Sequence, residues 1–99
     1  MTWVVIFRAQ VKAQDPHYSA MAQRMRELAL GEFGCLAFHC CTEGDQEIAL
    51  SYWPDEASIL AWRHHAEHVA AQREGRAHWY GSYQVEVAQI QRAYRHPSA

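Results

Sequence analysis

The 99-residue chain is poor in the features that announce a membrane, a disulfide framework or a nucleic-acid partner. No apolar run approaches the length needed to cross a bilayer, which excludes a spanning helix. The first ten residues, MTWVVIFRAQ, place no basic segment before their apolar stretch. They do not read as a secretory leader, and the cytoplasm is the expected compartment. The formal net charge is −2, with 9 basic and 11 acidic residues dispersed along the chain, so nothing resembles a nucleic-acid footprint. There are three cysteines, Cys35, Cys40 and Cys41, with no CxxC spacing. An odd, clustered set is neither a disulfide scaffold nor a zinc site, and the three are expected as small core-fillers in a reducing compartment. There is no glycine-rich phosphate loop, no HExxH, no Rossmann fingerprint and no Ser/His/Asp constellation, which leaves nucleotide binding and acyl hydrolysis without support.

What is present is globular. Hydrophobic residues make up 49% and charged residues 20%, and the length suits one domain, expected over residues 1–94 with a loose tail at 95–99. Trp3 to Ala9 is rich in β-branched and aromatic residues and reads as a first strand. Asp15-Pro16 is a helix entry, and Tyr18, Met21, Met25, Leu28 and Ala29 recur at helical spacing up to Leu30, with Gly31 as the expected C-cap. Residues 34–42 and 46–53 read as a hairpin around Glu43-Gly44-Asp45. Pro54-Asp55 opens a second helix to about Arg73, residues 76–82 are expected as a turn or loop, and 83–92 alternate as a final strand. The order βαββαβ is that of a ferredoxin-like α+β sandwich: one antiparallel sheet with both helices on one face.

The strands carry a second signal. Trp3, Val5 and Phe7 alternate with Val4 and Ile6; Ile48, Leu50 and Tyr52 alternate with Ala49 and Trp53. Both faces are apolar, yet two helices cover only one. A second copy of the chain is the expected cover for the other face.

The second helix and the segment after it concentrate aromatic and imidazole side chains: Trp62, His64, His65 and His68, then Trp79, Tyr80 and Tyr83. Ile59, Trp62, Ala66 and Val69 form an apolar stripe that should face the sheet, with His65 beside it and His68 toward the other edge. One reading is an aromatic pocket in which imidazoles move protons near neutral pH and planar walls hold an organic molecule away from water. The other is a core anchor at Trp62 with solvated or hydrogen-bonded histidines, and from composition alone this second reading is favoured. A metal held by His64, His65, His68 and His78 lacks a convergent carboxylate and is not expected. Mid-strand, His39 reads as a satisfied core histidine.

Ser51-Tyr52-Trp53, Trp62, His65-Ala66-Glu67-His68, Ala71-Gln72, Gly75-Arg76, Trp79-Tyr80 and Tyr83 together resemble the antibiotic biosynthesis monooxygenase family of dimeric α+β barrel proteins. The resemblance implies a homodimer whose sheets meet as a barrel, with a pocket between helices and sheet in each subunit. It also implies cofactor-free oxidation of a small aromatic or quinol-like molecule by molecular oxygen. His65 or His68 would be the base, with Phe7, Trp62, Trp79, Tyr80 and Tyr83 shaping the cavity. Haem is the alternative cofactor. Haem-degrading members place an Asn where Phe7 stands and a ligating His near Gln72, so this chain departs from them at both positions. A non-catalytic ligand-binding dimer on the same scaffold is the third expectation.

Overall fold

A computed structural model describes the backbone of residues 2–11, 16–73 and 80–97 and the side chains of 2–11, 19–66 and 82–97. The element order is β1 (Trp3–Val11), α1 (Pro16–Gly31), β2 (Ala37–Glu43), β3 (Gln46–Trp53), α2 (Glu56–Arg73) and β4 (Tyr80–Gln89). The four strands form one antiparallel sheet in the order β2-β3-β1-β4. Because β3 lies between β1 and β2, the β1-α1-β2 unit is split, and the fold is the ferredoxin-like α+β fold that the strand order implied.

The ladder fixes which side chains share a face, since directly paired residues point the same way. On the helix side the rows across β2, β3, β1 and β4 read Phe38–Ser51–Val5–Val87, Cys40–Ala49–Phe7–Val85 and Thr42–Glu47–Ala9–Tyr83. On the other side they read Ala37–Tyr52–Val4–Ala88, His39–Leu50–Ile6–Glu86, Cys41–Ile48–Arg8–Gln84 and Glu43–Gln46–Gln10–Ser82. The helix-free face therefore grades from apolar at one end to polar at the other. Across β1 and β4, Arg8 donates to Glu86, which also accepts from Gln84 at 3.0 Å. Those donors, the Arg8 bond first, hold the Glu86 carboxyl below its usual range.

The core lies between the sheet and the helices in two adjoining clusters. Val5, Ala29, Cys35, Trp53 and Ile59 form one; Val11, Met21, Met25 and Leu28 form the other. Trp62 and Phe33 pack against both. Trp53 is fully buried, and its indole N–H donates to the buried Ser51 hydroxyl at 2.9 Å, which removes the cost of an unpaired donor in the core.

Several local expectations shift. The left-handed turn after α1 falls at Gly34 (φ 82°) and not at Gly31, which closes the helix itself while Glu32 and Phe33 donate to the Leu28 carbonyl. That turn sends Cys35 into the core, where its N–H bonds Ala29, and β2 begins at Ala37 rather than at residue 34. Cys35 is the core-filler expected, with its thiol pushed up chiefly by burial; Cys40 and Cys41 are exposed on opposite faces of an edge strand. His39 is exposed on the helix-free face, its ring 6.2 Å from that of Tyr52, because β2 is the sheet's outer strand. The hairpin turn places Gly44 at φ 62° in a two-residue connection, the first central position that favours glycine.

β4 takes in Tyr80–Ser82, where the pattern predicts a loop, by pairing Tyr80 with Val11 past an irregularity at Gln10/Val11. It stops at Gln89 although alternation continues to Arg92. Gln89 pairs with Trp3 at the start of β1, and after the Ile90 N–H bonds Thr2 no partner strand remains among the described residues. Asp15 of the expected helix entry and residues 76–79 of the expected loop lie outside the described residues.

Asp55 caps α2: its carboxylate accepts from the Ser58 N–H at 2.8 Å, and Ser58, through its backbone and then its side chain, lowers the Asp55 pKa. A carboxyl depressed in the folded state stabilises above its unfolded-state pKa, and that stabilisation disappears as pH falls through the folded value. Thermal unfolding followed by circular dichroism should show Asp55→Ala melting lower than wild type at neutral pH. Asp55→Asn should retain the cap there and lose only the part of the acid sensitivity below about pH 4 that Asp55 supplies. Equal melting temperatures for wild type and Asp55→Ala would remove the cap from the account.

Candidate functional site

α2 supplies the side chains singled out in the sequence because its apolar stripe is forced onto the sheet. Ile59 is buried at the base of the stripe, and Trp62, one turn later, is half-buried. The Trp62 ring tilts against Trp53 at 5.5 Å and meets Phe38 edge-on at 6.1 Å. Its Nε1–H donates to the Met25 carbonyl of α1 at 3.1 Å. Trp62 thus links α2 to α1 and both to the sheet, as the core-anchor reading expects. Ala66 packs against the Val11/Met21/Met25/Leu28 cluster. His65 is half-buried, its ring 5.4 Å from that of Phe33, whereas His64 is exposed.

Across the sheet, Phe7 and Tyr83 stack at 6.1 Å with 26° between their planes, on the helix side of β1 and β4. Tyr83 and Val87 remain 44% and 39% exposed on that side. The structure therefore holds two aromatic groupings beneath the helix layer: Trp62 with Trp53 and Phe38, and Phe7 with Tyr83. The side chains of His68, Val69, Gln72 and Tyr80, together with His78 and Trp79, lie outside the described residues. Among the described residues no three His, Cys, Asp or Glu side chains gather as metal ligands, and no helix is long and apolar enough to cross a membrane.

A cleft of about 550 Å³ opens on the other flank of α1. Its floor includes Cys40, Thr42 and Glu47 from β2 and β3, and its α1 wall includes Ser19, Gln23 and Arg26. None of these residues stands out as a site in the letters. The one signal there is parity: Glu47 shares the helix side with Ala49 and Trp53, where a carboxylate is out of place. The Cys40 thiol is raised by partial desolvation and by Glu47, and Arg26 opposes the shift.

The family model for antibiotic biosynthesis monooxygenases matches residues 3–74. The chain belongs to that family. The matched span takes in β1, both helices and the hairpin, and with them Phe7, Trp62, His65 and His68; Trp79, Tyr80 and Tyr83 lie beyond it. The Bacillus subtilis protein YqjZ, described as uncharacterized, is 41% identical over 91 residues, covering 91% of this chain and 80% of that protein. A variant of SnoaB from Streptomyces nogalater, described as a cofactor-independent oxygenase, has the same fold at a TM-score of 0.76, with 11% identity and 98% of each chain covered. Rv0793 from Mycobacterium tuberculosis matches with a TM-score of 0.74 at 17% identity, over 95% of this chain and all of that one.

Trp62→Phe keeps an aromatic ring but deletes the interhelical hydrogen bond and part of the contact with Trp53. Urea unfolding should show a loss of about 1–3 kcal/mol with the slope unchanged. An unmoved midpoint would mean that Trp62 does not hold the helix layer to the sheet.

Proposed function

We propose that this chain is a cofactor-independent monooxygenase that oxidises an aromatic or quinol-like small molecule with molecular oxygen. The observation that carries it is membership of the monooxygenase family over a span that includes Phe7, Trp62, His65 and His68. The fold shared with a protein described as a cofactor-independent oxygenase supports it, as do the aromatic groupings beneath the helices.

The chemistry needs little from the protein beyond a base, a dry apolar wall and orientation. An electron-rich phenol or enol gives its proton to an imidazole, His65 or His68. The carbanion-like anion reduces oxygen and combines with it. Conversion of a ring CH2 to C=O releases four electrons, which reduce one O2 to one product oxygen and one water. The substrate is thus the whole source of electrons. Phe7, Trp62, Trp79, Tyr80 and Tyr83 would shape the cavity.

The same proposal includes a homodimer and a cytoplasmic setting. The apolar rows Ala37–Tyr52–Val4–Ala88 and Leu50–Ile6 on the helix-free face support the first: all but the exposed Ala88 are only half-buried in the single chain, and an apolar face left partly open marks an interface. Unpaired thiols at Cys35, Cys40 and Cys41 support the second.

Oxygen uptake with a panel of hydroquinones and anthrones should exceed the rate without protein. His65→Ala or His68→Ala should lower kcat by roughly 10²–10⁴-fold. Turnover that survives both substitutions would end the base assignment, and no uptake across the panel would end the oxygenase reading. A Soret shift on haem titration, with haem turnover, would transfer the activity to haem instead. In light-scattering chromatography at micromolar concentration the wild type should run at twice the chain mass and Leu50→Glu as a monomer; a monomeric wild type would contradict the dimer.

A further inference from the structure

Residues 91–97 follow β4 as an arm that is neither helix nor strand, and every one of them is exposed. The arm leaves from the apolar end of the sheet: Gln89 pairs with Trp3, the Ile90 N–H bonds the Thr2 carbonyl, and the ladder stops. Tyr94 on the arm is 89% exposed, the most open of the large apolar side chains among the described residues. Leu36, just before β2 at the same end of the sheet, is the next at 59%. The arm carries Arg92 and Arg95 and no acid. The connections that meet the sheet at that end, residues 32–36 before β2 and 54–56 after β3, carry Glu32, Asp55 and Glu56 and no Lys or Arg. Among the described residues, none of Arg92, Arg95, Glu32 and Glu56 has an ion-pair partner.

We propose that the arm of one copy docks on the β2 end of a second copy, with Tyr94 against Leu36 and Ala37 and with Arg92 and Arg95 beside Glu32 and Glu56. The docking rests on the homodimer proposed above. A two-fold axis that brings two helix-free faces together lies either along the strands or across them. Across the strands, it would set the apolar row Ala37–Tyr52–Val4–Ala88 over the polar end with Arg8 and Gln84, where burial penalises unmatched polar groups. Along the strands, it keeps apolar end on apolar end. It also reverses the order β2-β3-β1-β4, so β4 of one copy lies over β2 of the other. Packed sheets stand about 10 Å apart. Extended chain from Ile90 to Tyr94 spans up to about 14 Å, enough to carry the ring to Leu36 of the second copy. Leu36 of its own chain is at the far edge of the sheet, beyond β1 and β3, and the exposed Tyr94 does not pack on it. Each copy gives one arm and receives one, and the opposite charges fix which end of the partner the arm meets.

The full chain is made with p-benzoylphenylalanine in place of Tyr94 and irradiated at micromolar concentration. A covalent dimer should form, with crosslinked peptides that contain residues 31–37 or 54–57. Mixing 15N-labelled with unlabelled chains separates crosslinks between copies from those within one. Subunit exchange followed by native mass spectrometry should be at least about tenfold faster for Tyr94→Ala than for wild type. Arg92→Glu with Arg95→Glu should also speed exchange, and adding Glu32→Arg and Glu56→Arg should slow it again. Circular dichroism reports whether each variant is folded; if the charge exchange is not, the crosslinks and Tyr94→Ala decide alone. A dimer whose crosslinks fall within one chain, or elsewhere on the second copy, overturns the docking and leaves the dimer standing. So does a dimer whose exchange Tyr94→Ala does not change. A monomeric wild type overturns the dimer reading and the docking with it.

Discussion

The fold depends on burying one indole without leaving its N–H unpaired. Trp53 ends β3, the strand that splits the first βαβ unit, and it is fully enclosed. Ser51, two residues earlier on the same face, accepts the hydrogen bond of its N–H and is itself buried. An apolar residue in place of Ser51 would strand a donor in the core, at a cost of about 1–3 kcal/mol. With that donor satisfied, Val5, Ala29, Cys35 and Ile59 close around the ring and bring both helices to the sheet.

Trp62 repeats the device one layer out. Its ring leans on Trp53 while its N–H reaches the α1 backbone at Met25. The two indoles make the helix layer a unit with the sheet, and whatever chemistry the layer covers inherits that rigidity. The helix layer does not cover its own side of the sheet evenly. Tyr83 and Val87 on β4 stay partly open, and so does the cleft beside α1. These two openings lie on the helix side of the sheet, one beside the Phe7–Tyr83 pair and the other between α1 and the β2–β3 hairpin.

Much of this was legible in the letters. Period-two runs gave four strands, period-3.6 runs gave two helices, and their order admitted one split-βαβ sheet. The stripe of Ile59, Trp62 and Ala66 pointed at the sheet as its spacing required. What could not be read was which rows end up beside which. Whether His39 is inside or outside depends on β2 being an outer strand, which is a fact of sheet order and not of local pattern. The end of β4 depends on where β1 begins. The left-handed turn could be placed at either Gly31 or Gly34 until the core accepted Cys35.

Sequence alone determined the parity of residues along each regular strand run, because side chains alternate along an extended backbone, and only the irregularity at Gln10/Val11 interrupts it. It thereby placed Trp53, Ser51 and Glu47 on one side of β3. Only tertiary structure decided that Trp53 would be sealed under two helices while Glu47, six residues away on that side, would face an open cleft across from Arg26. Parity is a local property of the backbone; the reach of a helix over a sheet is set by how two helices pack on four strands.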